Sequence, residues 1–334
     1  MLYTPGHAQT FPSGCVRRGA VIYPPAVRTV YLGTSEFAVT VLERLSASPH
    51  RPNLVVTRPD RPRGRGRRMS PPPVADAARS LGIDLLQPES VNSDEARAAI
   101  SAARPESVCI CAYGALIREP LLSEHPMLNV HPSLLPRWRG AAPIERAIEA
   151  GDAETGVSIM RPTAEMDAGP VCLQRSEPIR PDDDYGSLAP RLAELGGALL
   201  VEALDTSPPF VEQPSEGVPI ARKIEAADRA LDPSLDAAAN ERRVRALTPH
   251  VGAYVVLPGD ERLGVRRAAL GCRPVRRRRG VARTPCCGGC CARGRSPTAA
   301  SARRPAGPGS SRESARLRSG SPTARSSGCG RSTG

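Results

Sequence analysis

At 334 residues, with 40% apolar and 24% charged residues, the chain is long enough for two domains and a sizeable core. The formal charge of +12 does not make it basic throughout: residues 271–334 carry 15 arginines against one acid, Glu313, so the remainder sums to −2. No apolar run approaches a membrane span, the first 26 residues lack a signal peptide's apolar core, and six of ten cysteines fall in that arginine-rich tail, so a disulfide-framed secreted domain is excluded and a reducing cytoplasm fits.

Residues 1–26 are polar, with scattered proline and glycine and no periodicity. Residues 28–33 read as a first strand. Residues 36–46 follow as a helix with an apolar stripe at Phe37, Val41, Leu42 and Leu45, and residues 53–57 as a second strand. Strand, helix and strand in so short a stretch make a βαβ unit, so the expected class is α/β with a mostly parallel, Rossmann-like sheet. The first turn has one glycine, Gly33, which is not the dinucleotide fingerprint, and no nicotinamide cofactor is expected. Residues 58–68, RPDRPRGRGRR, hold six arginines and one aspartate. Their prolines and glycines argue for a loop, and a mobile arginine-rich loop suits a phosphate backbone. A helix at 74–81, a strand at 84–87 and a helix at 94–104 capped by Ser93 come next. Residues 107–112 are continuously apolar, as a strand buried on both faces requires.

The stretch NVHPSLLPRWRGAAPI, residues 129–144, joins a strand at 127–130 to a helix at 142–150 that has Pro143 in its first turn. Asn129 and His131 are two apart, so on a strand they share a face. At the carboxyl end of a parallel strand, that face opens into the crevice where such sheets bind ligands. An amide donor and an imidazole aimed at one point can polarise a carbonyl and hold the oxyanion formed when it is attacked. A strand at 155–160, a tight turn at Met166-Asp167, a strand at 171–179 and a long helix at 185–204 complete a unit spanning 27–205. Residues 206–234 read as a linker. A helix at 240–247 and a strand at 253–257 open a second region, 235–270.

The run SLLPRWRGAAPI with NVH before it resembles the signature of the 10-formyltetrahydrofolate-dependent formyltransferases, among them the methionyl-tRNA formyltransferases, and the resemblance covers residues 28–270. It implies a Rossmann-like formyltransferase domain followed by a small β-barrel of the OB type that adds RNA-binding surface. It implies acyl transfer from 10-formyltetrahydrofolate to the α-amino group of methionine on initiator tRNA, by a cytoplasmic, monomeric enzyme that needs no metal. Asn129, His131 and Asp167 become the catalytic set. Asn129 and protonated His131 hold the oxyanion, while His131, backed by Asp167, handles the amine proton directly or through a water. Tyr113 and Gly114 would lie beside the folate's pterin, and Ser133, Leu134, Leu135 and Pro136 would line the folate site. The arginine loop becomes a clamp on the tRNA acceptor arm through Arg63, Arg65, Arg67 and Arg68, with Arg65 foremost. Two alternatives remain: a formyltransferase acting on a glycinamide nucleotide or amino sugar, and a non-catalytic RNA-binding protein. The arginine loop and second region speak against the first, and the intact Asn129, His131 and Asp167 against the second.

The resemblance implies a start near Val27, leaving residues 1–26 as a disordered arm or the product of an upstream start codon. It stops at about Leu270, inside the implied barrel. Residues 271–334 have almost no aliphatic larger than alanine and cannot bury enough apolar area to offset chain entropy. Their cysteine cluster, Cys286 to Cys291, reads as biased composition rather than a zinc site. A reading-frame shift near Ala269 accounts for the tail. The expected outcome of limited proteolysis is free cleavage after Leu270 with a resistant body up to about Thr206, followed by mass spectrometry; a tail that resists protease and shows slow hydrogen exchange would overturn this.

Overall fold

The first strand, β1 (Thr29–Gly33), is buried along its whole length and feeds two cores, with Val30 and Leu32 on one side of the sheet and Tyr31 on the other. In the computed structural model, which describes residues 25–63, 66, 68–215 and 217–270, it is an inner strand of a seven-stranded sheet. After it come α1 (Glu36–Ser46), β2 (Pro52–Val56), β3 (Arg61–Arg63), β4 (Arg68–Ser70), α2 (Pro73–Leu81), β5 (Asp84–Leu86), α3 (Asp94–Ala102), β6 (Ser107–Cys111), α4 (Leu121–Glu124) and β7 (Met127–His131). The chain continues through β8 (Arg139–Gly140), α5 (Pro143–Ala150), β9 (Glu154–Met160), β10 (Val171–Pro178), α6 (Tyr185–Thr206), β11 (Ile220–Ala221), α7 (Ala237–Leu247), β12 (Ala253–Val256) and β13 (Arg262–Val265).

The sheet order is β10-β9-β7-β6-β1-β2-β5. The five strands from β7 to β5 in that order are parallel, while β9 runs antiparallel to β7 and β10 antiparallel to β9. This is the expected α/β class. One core packs Val41, Leu42 and Leu45 of α1 and Leu188, Leu192 and Leu199 of α6 on the sheet. The other packs Ile100 of α3 and Leu121 of α4 against Val30, Leu32 and Met127. Close approach of α6 depends on Gly196, where a Cβ would stand 2.7 Å from Val130 Cγ1. Residues 1–24 and 271–334, with the extension and tail expected there, lie outside the described residues.

Two expectations change. The arginine loop is not all loop: β3 and β4 pair antiparallel, with Pro62 opposite Met69. A two-stranded ribbon leaves each strand an unpaired edge, where a proline's missing N–H costs nothing. Residues 206–234 are not a free linker either. Val171 and Val211 exchange backbone hydrogen bonds of 2.9 and 2.8 Å, and β11 pairs with β8 in parallel. As for the barrel, the described residues of 235–270 form α7 and one antiparallel hairpin, β12–β13, around a small core of Val244, Leu247 and Ala253. That core is docked on the sheet domain, where Arg242 Nε and Arg243 Nε donate to the carbonyl and carboxylate of Glu149 at 3.0 and 2.9 Å.

The start of α6 carries the best-defined ion pair. Asp183 is buried, and its two carboxylate oxygens each accept from Arg191 at 2.8 Å, as well as from Ser187 Oγ and the Arg180 N–H. Arg191 foremost, with those further donors, holds this carboxyl well below the usual carboxylate range. A depressed carboxylate stabilises the fold fully above its unfolded value near pH 4, and the contribution is lost as pH falls below that. The expected result for Asp183→Asn is a loss of about 3 kcal/mol at neutral pH, with the gap from the parent narrowing steadily as pH falls below 4 in urea-midpoint measurements; a gap as wide at pH 2 as at neutral pH would contradict it.

Candidate active site

At the carboxyl end of β7, Val130 points into the α6 core, so Asn129 and His131 project from the other face of the sheet. His131 is buried, and Nε2 lies 3.0 Å from the Trp138 carbonyl oxygen. A carbonyl only accepts, so Nε2 carries a proton and donates. Nδ1 then faces Asp167 Oδ2 across 3.7 Å, too long for a direct hydrogen bond and wide enough for a bridging polar atom. Protonation at Nδ1 would give the imidazolium an acceptor on each side. Among the described residues the Asn129 amide has only a long contact, 3.8 Å, from Nδ2 to Met160 Sδ, so its donor is open to a better acceptor.

Asp167 is fixed from behind, its Oδ2 accepting from the Gly140 N–H at 2.9 Å. Both Asp167 and Trp138 sit at positive φ, +48° and +63°. For residues with a Cβ that conformation costs on the order of 1 kcal/mol each, so the surroundings hold both turns in place. Gly140, at φ +119°, has no such freedom to lose, and a Cβ there would stand 2.7 Å from the Ala221 carbonyl oxygen. Trp138 is braced further by its indole N–H, which donates to Asp152 at 2.7 Å, while Arg137 makes a two-pronged pair with the same carboxylate and stacks 4.6 Å over the indole.

The expected donor-site residues divide. Tyr113 is buried, with its carbonyl accepting from Thr34 Oγ1 at 2.7 Å, and the Gly114 carbonyl accepts from Arg58 Nη1 at 2.7 Å. In the turn after β7, Ser133 Oγ donates to the Arg137 carbonyl, and Ser158 Oγ donates to the Ser133 carbonyl. The Leu135 N–H reaches Ser158 Oγ and the Leu135 carbonyl accepts from Gln174 Nε2. These polar groups are therefore engaged inside the protein, and Leu134 and Pro136 are the half-exposed members of the run. Of the expected tRNA contacts, Arg68 is exposed at the start of β4, Arg63 ends β3, and Arg65 and Arg67 lie outside the described residues. Among the described residues, no cluster of three or more His, Cys, Asp or Glu is placed to hold a metal ion, and no helix is long and apolar enough to cross a membrane.

Sequence reading missed four participants. Arg139 and Gly140 were in plain view within the RWRG run but had no assigned task. Arg58 was counted only as charge, yet it ties the end of β2 to Gly114, and its Nε is buried with no partner among the described residues. Gln213 fell in the supposed linker, where composition carries no signal.

The sequence profile described as formyl transferase matches residues 27–204. A methionyl-tRNA formyltransferase of Delftia acidovorans is 47% identical over 253 residues, covering 72% of this chain and 77% of that protein. The chain belongs to the formyl transferase family, among the methionyl-tRNA formyltransferases. A second such enzyme, from Aromatoleum aromaticum, is 43% identical over 237 residues, 69% of this chain and 75% of its own length. Family members of solved structure share the fold at low identity. A methionyl-tRNA formyltransferase from Clostridium thermocellum matches 73% of this chain and 94% of its own at a TM-score of 0.53 and 14% identity. A sugar N-formyltransferase from a Shewanella species matches 74% and 99% at 0.56 and 18%.

Proposed function

We propose that this enzyme moves the formyl group of 10-formyltetrahydrofolate to the α-amino group of methionine carried on initiator tRNA, as a monomer in the bacterial cytoplasm. The observation that carries the chemistry is the buried His131, backed by the Trp138 carbonyl on one nitrogen and facing Asp167 on the other. The neutral amine attacks the formyl carbon, forming a C–N bond while the carbonyl electron pair moves to oxygen. Asn129 donates its amide N–H to that oxyanion. The amine proton passes to Nδ1 of His131 across the gap shared with Asp167, and the imidazolium so formed lies between a carboxylate and a carbonyl. Collapse of the tetrahedral adduct breaks the bond to folate nitrogen, which takes the proton back from His131 as tetrahydrofolate leaves. The sequence expectation gave His131 two tasks, sharing the oxyanion with Asn129 while protonated and handling the amine proton with Asp167 behind it; the engaged Nε2 supports the second.

Support for the folate donor comes from the carboxyl end of β6. There the Tyr113 and Gly114 carbonyls are pinned by Thr34 and Arg58, and the Arg58 Nε lacks an acceptor among the described residues. Support for tRNA comes from the arginine ribbon and from relatives named for that substrate. Arg63, Arg65, Arg67 and Arg68 would neutralise acceptor-arm phosphates, and residues 235–270 would open the OB-type barrel that extends the RNA surface.

Two outcomes test this reading. Asn129→Ala, His131→Ala and Asp167→Ala should each lower turnover by about two to four powers of ten with folate binding largely kept, measured as formyl-methionine released from charged initiator tRNA. Parental turnover in His131→Ala would remove the mechanism. Separately, the KM for tRNA should rise with salt, and Arg65→Ala should raise it at fixed salt without changing folate binding. A salt-insensitive KM would point to a small-amine substrate.

A further inference from the structure

The turn carrying Asp167 is held by a side chain from outside the family's matched segment. Gln213 Nε2 donates to two carbonyl oxygens of that turn, those of Asp167 at 2.9 Å and Gly169 at 2.6 Å. Its Oε1 accepts from Arg139 Nε at 2.9 Å. Arg139, almost fully buried, spends Nη2 on the Pro214 carbonyl at 2.8 Å and has the Glu165 carboxylate 3.9 Å from Nη1. The next residue, Gly140, gives its N–H to Asp167 Oδ2. One amide and one guanidinium thus join the turn's backbone, its carboxylate and the loop that supplies the Trp138 carbonyl to His131.

We propose that Gln213, seated on Arg139, is a positioning residue for formyl transfer. It rests on the reading of Asp167 given above and adds what keeps that carboxylate in place. Asp167 sits at φ +48°, a conformation it would leave if its carbonyl were released. Any such rotation carries Oδ2 away from both Gly140 and His131. A primary amide is the side chain that fits: two donors for two carbonyls and one acceptor for a guanidinium, in one plane. A glutamate of the same shape would keep the partner for Arg139 but set a carboxylate oxygen against the carbonyls of Asp167 and Gly169. Misplacing a catalytic group by about 1 Å costs on the order of a hundredfold in rate.

The test uses the full chain with 10-formyltetrahydrofolate and charged initiator tRNA. Gln213→Ala and Gln213→Glu are each combined with Asp167→Ala, with thermal melting read on every sample. Expected are a fall in kcat of about ten- to a hundredfold in both single variants and KM values for both substrates within about twofold of the parent. In the Asp167→Ala background, either change at position 213 should cost less than about twofold more, because its effect runs through a carboxylate already gone. Gln213→Glu, being isosteric, decides the matter if Gln213→Ala fails to fold. Parental kcat in Gln213→Glu, or losses that multiply in full with that of Asp167→Ala, would overturn the proposal while leaving the catalytic set intact. Parental turnover in Asp167→Ala would bring down that reading of the site and this inference with it.

Discussion

A loop that is buried must find a partner for every backbone N–H and C=O it carries. That constraint shapes this protein more than any other. Between His131 and Pro143 the chain crosses the end of the main sheet, and apart from the two-residue pairing of β8 with β11 its polar groups have no ladder to satisfy them. Instead Trp138 N–H reaches the Pro219 carbonyl, Gly140 N–H the Asp167 carboxylate, and Ala141 and Ala142 N–H the Ala221 carbonyl. The turn of residues 133–135 closes on Ser158 and Gln174 of β9 and β10. The imidazole at the centre takes its orientation from a carbonyl that is available because the loop is held so firmly.

Side-chain choices follow from the same demand. The carboxylate that faces His131 comes not from a βαβ unit but from the connection between β9 and β10. Asp167 and Trp138, both at positive φ, are the two places where the chain bends sharply enough to meet. Neither conformation is intrinsically favoured, and each is braced by a charged or amide side chain: Asp152 for Trp138, Gln213 for Asp167. The preference for arginine also has a structural expression here, since Arg137, Arg139 and Arg191 each use the planar fork on two acceptors at once, a geometry lysine cannot copy.

How much of this could be read from the sequence depended on period and proximity. β1, β6 and α1 were legible because a strand buried on both faces is continuously apolar and a helix on a sheet has a stripe. Asn129 and His131 were legible because two residues at i and i+2 share a face whatever else the fold does. Asp167 was found through resemblance alone, since an aspartate in a tight turn is ordinary. The ribbon of β3 and β4 was lost because proline and glycine content is a statement about interior strands, and this one has two edges. Gln213 and β11 were lost for a deeper reason: their partners are 44 and more residues away in sequence, and nothing local marks a segment whose structure is imposed by what it covers.

The strap from Val211 to Ala221 has one more implication, for where this protein can be cut. The formyl transferase profile ends at residue 204. The stretch that must stay together for His131 to keep its surroundings ends at residue 221 or beyond, because Gln213, Pro219 and Ala221 hold the two loops beside it. The segment matched by the profile and the segment that holds this site together are therefore different lengths of the same chain. A fragment trimmed at residue 204 would keep Asn129, His131 and Asp167 and lose the frame that aims them.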